Sequence, residues 1–242
     1  MTGAPPLFRV AEFSDLDAEE LDALKMSCSS PREIARGTVI RRQGEPVDQI
    51  YVLKAGWVLS GLDLPDGHNQ VVKVHLPGDI LGAPSMVLTT AAETLWSVTP
   101  ATISSIPLRS LARIFHTHPK IGLSLFLCAQ QERIFLMDRL TSVGRIPALK
   151  RVAAFLLHIH DRLQNCGECK DGLIRWPLTQ QHVGDILGLT SVHVNRMLQA
   201  LIAEGLIARN RQAIHIPDVD AMRDFVPLPT RQWVHDPDWL RD

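Results

Sequence analysis

The chain is poor in cysteine: among 242 residues there are four, Cys28, Cys128, Cys166 and Cys169, at irregular spacing. That is too few for the disulfide framework of a small secreted domain. Its first residues, MTGAPPLFRVAEFSDLDAEE, hold no cationic head followed by an apolar run, so no signal peptide is expected. No stretch approaches the roughly 18 apolar residues of a membrane span, which excludes a membrane-spanning helix. An excess of one charge is also missing, since the formal net charge is −1. This excludes nothing about nucleic acid, because a binding patch can be local. What is present is 45% hydrophobic and 21% charged residues, the balance of a globular protein. The length suffices for one large or two ordinary domains. The expected location is the cytoplasm.

Three regimes follow one another. Ser14–Leu21 reads as a short helix with Asp and Glu in its first turn, where they suit the positive end of the macrodipole. From about Ile34 to Pro107 short β-rich runs take over: Thr38–Ile40, Gln49–Leu53, Val58–Leu62, Val71–His75 and Thr94–Val98. The turn segments Gln43–Pro46, Ala55-Gly56, Pro65-Asp66-Gly67 and Pro77-Gly78-Asp79 separate them. Short strands at such spacing predict a sandwich or small barrel. The third regime is helical. Leu123, Leu127, Gln130, Ile134 and Met137 form a heptad-like stripe on a helix over about Lys120–Val143, the pattern of a two-stranded coiled coil. The alternative for that stripe is a helix packed on its own barrel. Gly144–Pro147 breaks this helix, and Pro147 suits the first turn of the next, up to about Leu163, with Val152, Phe155, Leu156 and Ile159 on one face.

The segment Thr179–Ile207 carries the most specific signal. Thr179 is a good N-cap, Val183, Ile186 and Leu187 give a short helix its apolar face, and Gly188 sits where a left-handed residue ends it. Thr190 caps a second helix with Val194, Met197, Leu198, Leu201 and Ile202 inward. Two short helices joined by a glycine-containing turn predict a helix-turn-helix. Ile207–Ile216 reads as two strands of a wing around Arg209-Asn210-Arg211, with Gly172–Trp176 as a third strand. Exposed on the second helix are Ser191, Val192, Asn195 and Arg196, flanked by His193 and Gln199. Such a helix meets base edges in the major groove near its N-terminus, where Arg196 can pair with guanine by two hydrogen bonds. Thr179, Thr190 and Ser191 suit phosphate contacts at helix N-termini, with Gln180, Arg209 and Arg211 completing the candidate DNA-binding set. The bland alternative is a helical packing unit with a solvated Arg196.

Leu178–Ile207, the barrel with Pro77-Gly78-Asp79, and the junction Gly144–Arg151 resemble the Crp–Fnr family of transcription regulators. The resemblance covers about Leu16–Pro217. It implies an α+β fold: an N-terminal double-stranded β-helix or jelly-roll barrel of the cyclic-nucleotide-binding type, a long dimerisation helix and a C-terminal winged helix-turn-helix. The corresponding ranges are 1–118 for the effector-sensing barrel, 119–146 for the helix and hinge, 147–217 for the DNA-binding domain, and 218–242 for an extension. The partners implied are double-stranded DNA and a second copy of the chain, with RNA polymerase as a further candidate and no membrane. The homodimer would read a pseudo-palindrome with half-sites ~34 Å apart. The long helix and hinge would relay an effector signal by a population shift. Neither the effector nor any cofactor is identified.

The departures concern sensing. The resemblance aligns an effector pocket with Gly82, Ala83, Glu93, Thr94, Leu136 and Met137. Nucleotide-binding members carry Gly-Glu and later Arg-Ser or Arg-Thr where this chain has Gly82-Ala83 and Glu93-Thr94. A carboxylate facing a cyclic phosphate repels it, so cyclic AMP or GMP is not the expected effector. Only Cys28 stands near the start, so the cysteine cluster of the iron–sulfur sensors cannot be built. Val192 replaces a glutamate of the main specificity groups. Two sensing alternatives remain. One is a haem-based gas sensor with His75 as ligand. The other is a thiol or metal site at Cys166 and Cys169, with His158 or His160; two plain loop thiols are its bland counterpart. Cys128 reads as a core residue, Trp57 and Trp96 as barrel core, and Trp233 and Trp239 as rings that pack the extension on a neighbouring surface. An enzyme is not expected. A dithiol oxidoreductase would need a βαβ context that is absent around the cysteine pair, and the third class is a ligand-binding regulatory module that acts through protein contacts, with a helical hairpin that never touches DNA.

Overall fold

The computed structural model describes residues 9–65, 69–229 and 231–240. Its described residues divide into two units, one within Ile134–Arg231 and one of residues 9–133 together with residues 232–240.

In the second of these units, Asp17 caps the first helix, α1 (Ala18–Met26), through a capping box with Glu20. The helix therefore starts four residues later than the acidic run alone suggests. Eight strands follow: β1 (Arg32–Ile34), β2 (Val39–Arg41), β3 (Gln49–Ala55), β4 (Val58–Asp63), β5 (Asn69–His75), β6 (Ile80–Leu81), β7 (Thr94–Ser97) and β8 (Ala101–Pro107). They form two antiparallel sheets, ordered β1-β8-β3-β6 and β2-β7-β4-β5, which is the expected jelly roll. The short runs of β1 and β6, and β8 itself, were not marked by alternation. The β4–β5 pairing is as the Pro65-Asp66-Gly67 signal predicts, while Asp66 and Gly67 lie outside the described residues.

Side-chain alternation along β3 explains why Ile50–Leu53 is apolar throughout. Tyr51 and Leu53 join Ile34, Val58, Leu81, Leu95 and Ile103 inside the barrel. Ile50 and Val52 face the other way, onto Leu24, Leu111, Ile114 and Ile121, which come from α1, from α2 (Leu108–Thr117) and from the start of α3 (Pro119–Arg145). Trp57 is buried, whereas Trp96 is only half-buried.

A buried ionic cluster ties the N-terminal segment to this unit. Arg9, with a side chain only 8% exposed, reaches Glu12 (2.6 Å), Glu132 of α3 (3.0 Å) and Asp79 (3.4 Å). Lys73 of β5 meets Glu132 at 2.9 Å. The segment from Gln232 onward packs on the same N-terminal stretch: Trp233 stands edge-on to Phe13, and His235 bonds Glu12 O and Asp15 Oδ1, each at 2.9 Å. Of the two tail tryptophans expected to pack, Trp239 is instead exposed.

In the other unit, α4 (Ala148–Asn165) buries Val152, Phe155, Leu156 and Ile159, as its periodicity predicts. Next come β9 (Leu173–Arg175), α5 (Gln180–Leu187), α6 (Ser191–Ala203), β10 (Ala208–Arg209), β11 (Ala213–His215) and α7 (Val219–Phe225). The three strands pair as β10-β11-β9. Helix α7 falls within the range read as an extension from 218. It packs on α4, with Met222 fully buried and both Arg223 guanidinium nitrogens donating to Asp161 at 2.9 and 2.7 Å.

Burial raises the Asp161 carboxyl's pKa, but hydrogen bonds from His160 and Arg223 outweigh it and hold the group below the usual aspartate range. A depressed folded-state pKa contributes stability that is present above the ordinary aspartate value and lost as pH falls through the depressed one. Both side chains of the pair are a third exposed, so Asp161→Asn is expected to cost about 1 kcal/mol at pH 7. The variant and the parent should converge in acid, as read by urea unfolding at each pH.

Candidate nucleic-acid interface and barrel interior

Each helix of the helix-turn-helix is started by its own cap. Thr179 Oγ1 accepts from His182 N (3.1 Å), and the His182 ring accepts in return from Thr179 N (3.3 Å). Thr190 Oγ1 accepts from His193 N at 3.2 Å. Between them Gly188 adopts φ +64°, the left-handed turn predicted for it. The turn is also held by Gly184: Leu189 N donates to Gly184 O (2.9 Å), and a Cβ on Gly184 would lie 2.4 Å from Leu189 O. Arg151 of α4 donates to Leu187 O at 3.0 Å, which caps α5 from behind. Sequence reasoning missed both of these; no local pattern marks a contact made across the turn.

Helix α6 buries Val194, Leu198 and Leu201, while Met197 and Ile202 are half-buried. On the opposite side Val192 (78% exposed), Asn195, Arg196 and Gln199 are open, with Ser191 and His193 half-buried beside them. Gln180 of α5 donates to Asn195 Oδ1 at 2.8 Å, so these two candidates are already brought together. Asn210 closes the wing turn by accepting from Gln212 N and Ala213 N. Arg211 is exposed at the wing tip, and Arg209 is half-buried in β10. An open cleft of about 730 Å³ lies at the wing, lined by cationic Lys170, Arg175 and Arg211 together with Glu168.

On α3, Leu123, Leu127, Gln130 and Ile134 are half-buried and Met137 is exposed. The widest open apolar side chains are Phe126, Leu136, Met137, Leu140 and Val143. The free apolar face is therefore rotated from the stripe read in the sequence, because part of that stripe is used within the chain. Leu136 and Met137, read as effector-pocket residues, belong to this exposed face.

The remaining effector-pocket candidates surround a charged barrel interior. Gly82 turns at φ +77° into a 3-10 turn at Ala83–Val87. Glu93 is 8% exposed and Thr94 is 6% exposed; Thr94 Oγ1 donates to Asp63. Burial pushes the Glu93 carboxyl up, against a hydrogen bond from Ser60 and the charges of Arg41 and Lys73. Arg41, missed in the sequence because β2 reads as a plain apolar strand, is itself 4% exposed.

The other sensing candidates are placed as follows. His75 is buried, with Nε2 3.1 Å from Ser60 Oγ and Nδ1 3.8 Å from Asp79. Burial raises the thiols of Cys28 and Cys169, and takes that of Cys128 up to about 12. Thiols held neutral in this way are poor nucleophiles and metal ligands. Cys166 is buried and donates to Leu163 O, His158 stacks edge-on against Phe135, and His160 lies 3.0 Å from Asp161. Among the described residues, no group of three or more His, Cys, Asp or Glu is placed to hold a metal ion.

The chain matches the model of the Crp-like helix-turn-helix domain over residues 150–225 and that of the cyclic nucleotide-binding domain over residues 31–118. It is 30% identical to the nitrogen fixation regulation protein FixK of Rhizobium meliloti, over 89% of this chain and 96% of that protein. It is 29% identical to the transcriptional activatory protein AadR of Rhodopseudomonas palustris, over 86% and 84%. The solved structure of FixK2 from Bradyrhizobium japonicum superposes with a TM-score of 0.74 at 23% identity, covering 83% of this chain and 98% of that one.

The close approach at Gly184 yields a direct test. Gly184→Ala is expected to destabilise the helix-turn-helix by about 1–3 kcal/mol, because the neighbour it strikes is backbone. Hydrogen-exchange protection in α5 and α6 should fall by a matching factor, while that of the jelly roll stays unchanged.

Proposed function

The chain belongs to the Crp–Fnr family of DNA-binding transcription regulators, and on that premise we propose that it acts as a homodimer with one α6 in each of two successive major grooves of a pseudo-palindromic operator. The observation that carries this reading is the division of α6 into a buried face of Val194, Leu198 and Leu201 and an open face of Val192, Asn195, Arg196 and Gln199. In this reading Arg196 pairs with a guanine and Val192 meets a thymine methyl. Thr179, Gln180, Thr190, Ser191 and His193 lie at or near the helix N-termini and serve phosphate or flanking contacts, as do Arg209 and Arg211 on the wing. The homodimer is supported by the uncovered apolar side chains of the second half of α3, since Leu136, Met137 and Leu140 each stand exposed to water. RNA polymerase is a second macromolecular partner for a member that activates. The protein would work in the cytoplasm, where its DNA is, and it carries out no chemistry of its own.

A cyclic nucleotide does not fit the residues of the barrel. By the resemblance Glu93 takes the position of a phosphate-binding arginine, and a carboxylate already desolvated there disfavours a second anion beside it. We assign control to a signal other than cyclic AMP.

Selection of duplexes from a random pool should return a two-fold symmetric consensus with half-sites about one helical turn apart. Affinity should fall steeply with salt, as phosphate contacts require. Arg196→Ala is expected to lose about 5–150-fold in affinity for the selected site and to relax preference at one base pair per half-site. Unchanged preference in that variant, or no selected consensus, overturns the reading. Leu140→Asp should shift the protein toward monomer in native mass spectrometry and weaken operator binding with it.

A further inference from the structure

Among the described residues, the most deeply buried arginine is Arg41, carried on β2 and 4% exposed. An arginine is this deeply buried only when something receives its charge. Its Nη1 lies 3.3 Å from Gln49 O and its Nη2 3.5 Å from Gly82 O. Its Nε has no hydrogen-bond partner, and neither has Glu93 Oε1. The guanidinium is seated directly on the Gly82 turn: a Cβ built there would fall 2.5 Å from Nη2 and 2.9 Å from Nη1 and Cζ. The chain thus has a positive-φ turn with a cation pressed onto it and a buried carboxylate in the same interior, bonded by Ser60 and under the field of Arg41. Lys73, the other cation acting on Glu93, is drawn to Glu132 at 2.9 Å and so is committed elsewhere.

We infer that Arg41 is the barrel's resident occupant and sets its specificity jointly with Glu93: the guanidinium fills the cradle at Gly82 and the buried carboxylate adds a like charge, so that phosphate-bearing ligands are refused on two separate grounds. The inference deepens the proposal that cyclic nucleotides do not control this regulator. It explains the refusal by a side chain that takes the space, beyond the loss of an arginine at position 93. A guanidinium occupies the volume an anion would need, and the buried carboxylate repels that anion. Removing the Arg41 side chain should therefore leave a site for an external guanidinium rather than for a phosphate. The buried carboxylate left behind prefers a cation, and the two carbonyls at Gln49 and Gly82 are acceptors, which the unprotonated oxygens of a phosphodiester cannot use.

The test is chemical rescue on the full chain, read by thermal shift, which requires no DNA and so fails separately from the operator reading. Arg41→Ala is expected to lower the barrel's Tm by at least ~5 °C. Ten-millimolar methylguanidinium should restore a good part of that loss, whereas methylammonium at the same concentration restores less. Cyclic AMP, cyclic GMP and inorganic phosphate should shift neither the parent nor the variant. Where Arg41→Ala does not fold, Arg41→Met keeps the volume of the stem and takes its place in the same series. In the double variant Arg41→Ala, Glu93→Gln, the advantage of methylguanidinium should disappear. Stabilisation of the parent by a cyclic nucleotide overturns the inference, and so does an Arg41 variant as stable as the parent. Rescue that is equal with and without the Glu93 carboxylate overturns the pairing on which it rests.

Discussion

The placement of charge around Arg9 is the constraint on which the N-terminal unit depends. A guanidinium with only 8% of its side chain exposed is tolerable because Glu12, Asp79 and Glu132 all reach it, from the N-terminal segment, the turn after β5 and α3. Removing one partner from such a cluster leaves an uncompensated buried charge, which is far costlier than the net gain of the intact cluster. The network therefore acts less as a source of stability than as a register lock. It allows one arrangement of the segment, the barrel turn and the first half of the long helix. Cys128 Sγ donating to Arg9 O at 2.9 Å and Gln131 bonding Glu12 at 2.9 Å extend the same lock along α3. The segment beyond Gln232 presses on the outside of it through Trp233 and His235.

The barrel interior obeys a similar rule with a different result. Its apolar core is ordinary, with Leu53, Leu81 and Leu95 fully covered. Into that core the chain introduces two opposite charges, on Arg41 and Glu93. Burial raises the Glu93 pKa even though two cations lower it, which shows that desolvation exceeds the attraction there. The match to the cyclic nucleotide-binding domain model over residues 31–118 speaks for the jelly-roll scaffold, and what the scaffold binds is set by the side chains within it.

In the winged unit, local chemistry and packing agree. Thr179 and Thr190 start two helices at the positions where their side-chain oxygens are needed. Gly184 and Gly188 let the turn between them close to backbone contact. The result is a fixed helix from which Val192, Asn195, Arg196 and Gln199 face outward, with Asn195 already held by Gln180. Rigid side chains on a helix read base edges with less loss of conformational entropy than mobile ones.

Local and periodic signals in the sequence by themselves determined the helix-turn-helix, its two caps, the wing, the long helix and the β-rich character of the N-terminal half. Each of these follows from the preferences of a few neighbouring residues: threonine at an N-cap, glycine at positive φ, alternation on a strand. Only the tertiary structure decided which side of α3 stays open, because the half-burial of Leu123, Leu127 and Ile134 depends on what the helix meets in three dimensions. It also decided what Val219–Phe225, at the start of the range read as an extension, docks on: α4, where Arg223 meets Asp161. Arg41 is the clearest case. Nothing at positions 39–41 hints at a cation inside the barrel, since its partners Gly82 and Glu93 lie about 40 and 50 residues away along the chain. A buried charge is defined by its neighbours in space, and those become known only once the two sheets have closed over it.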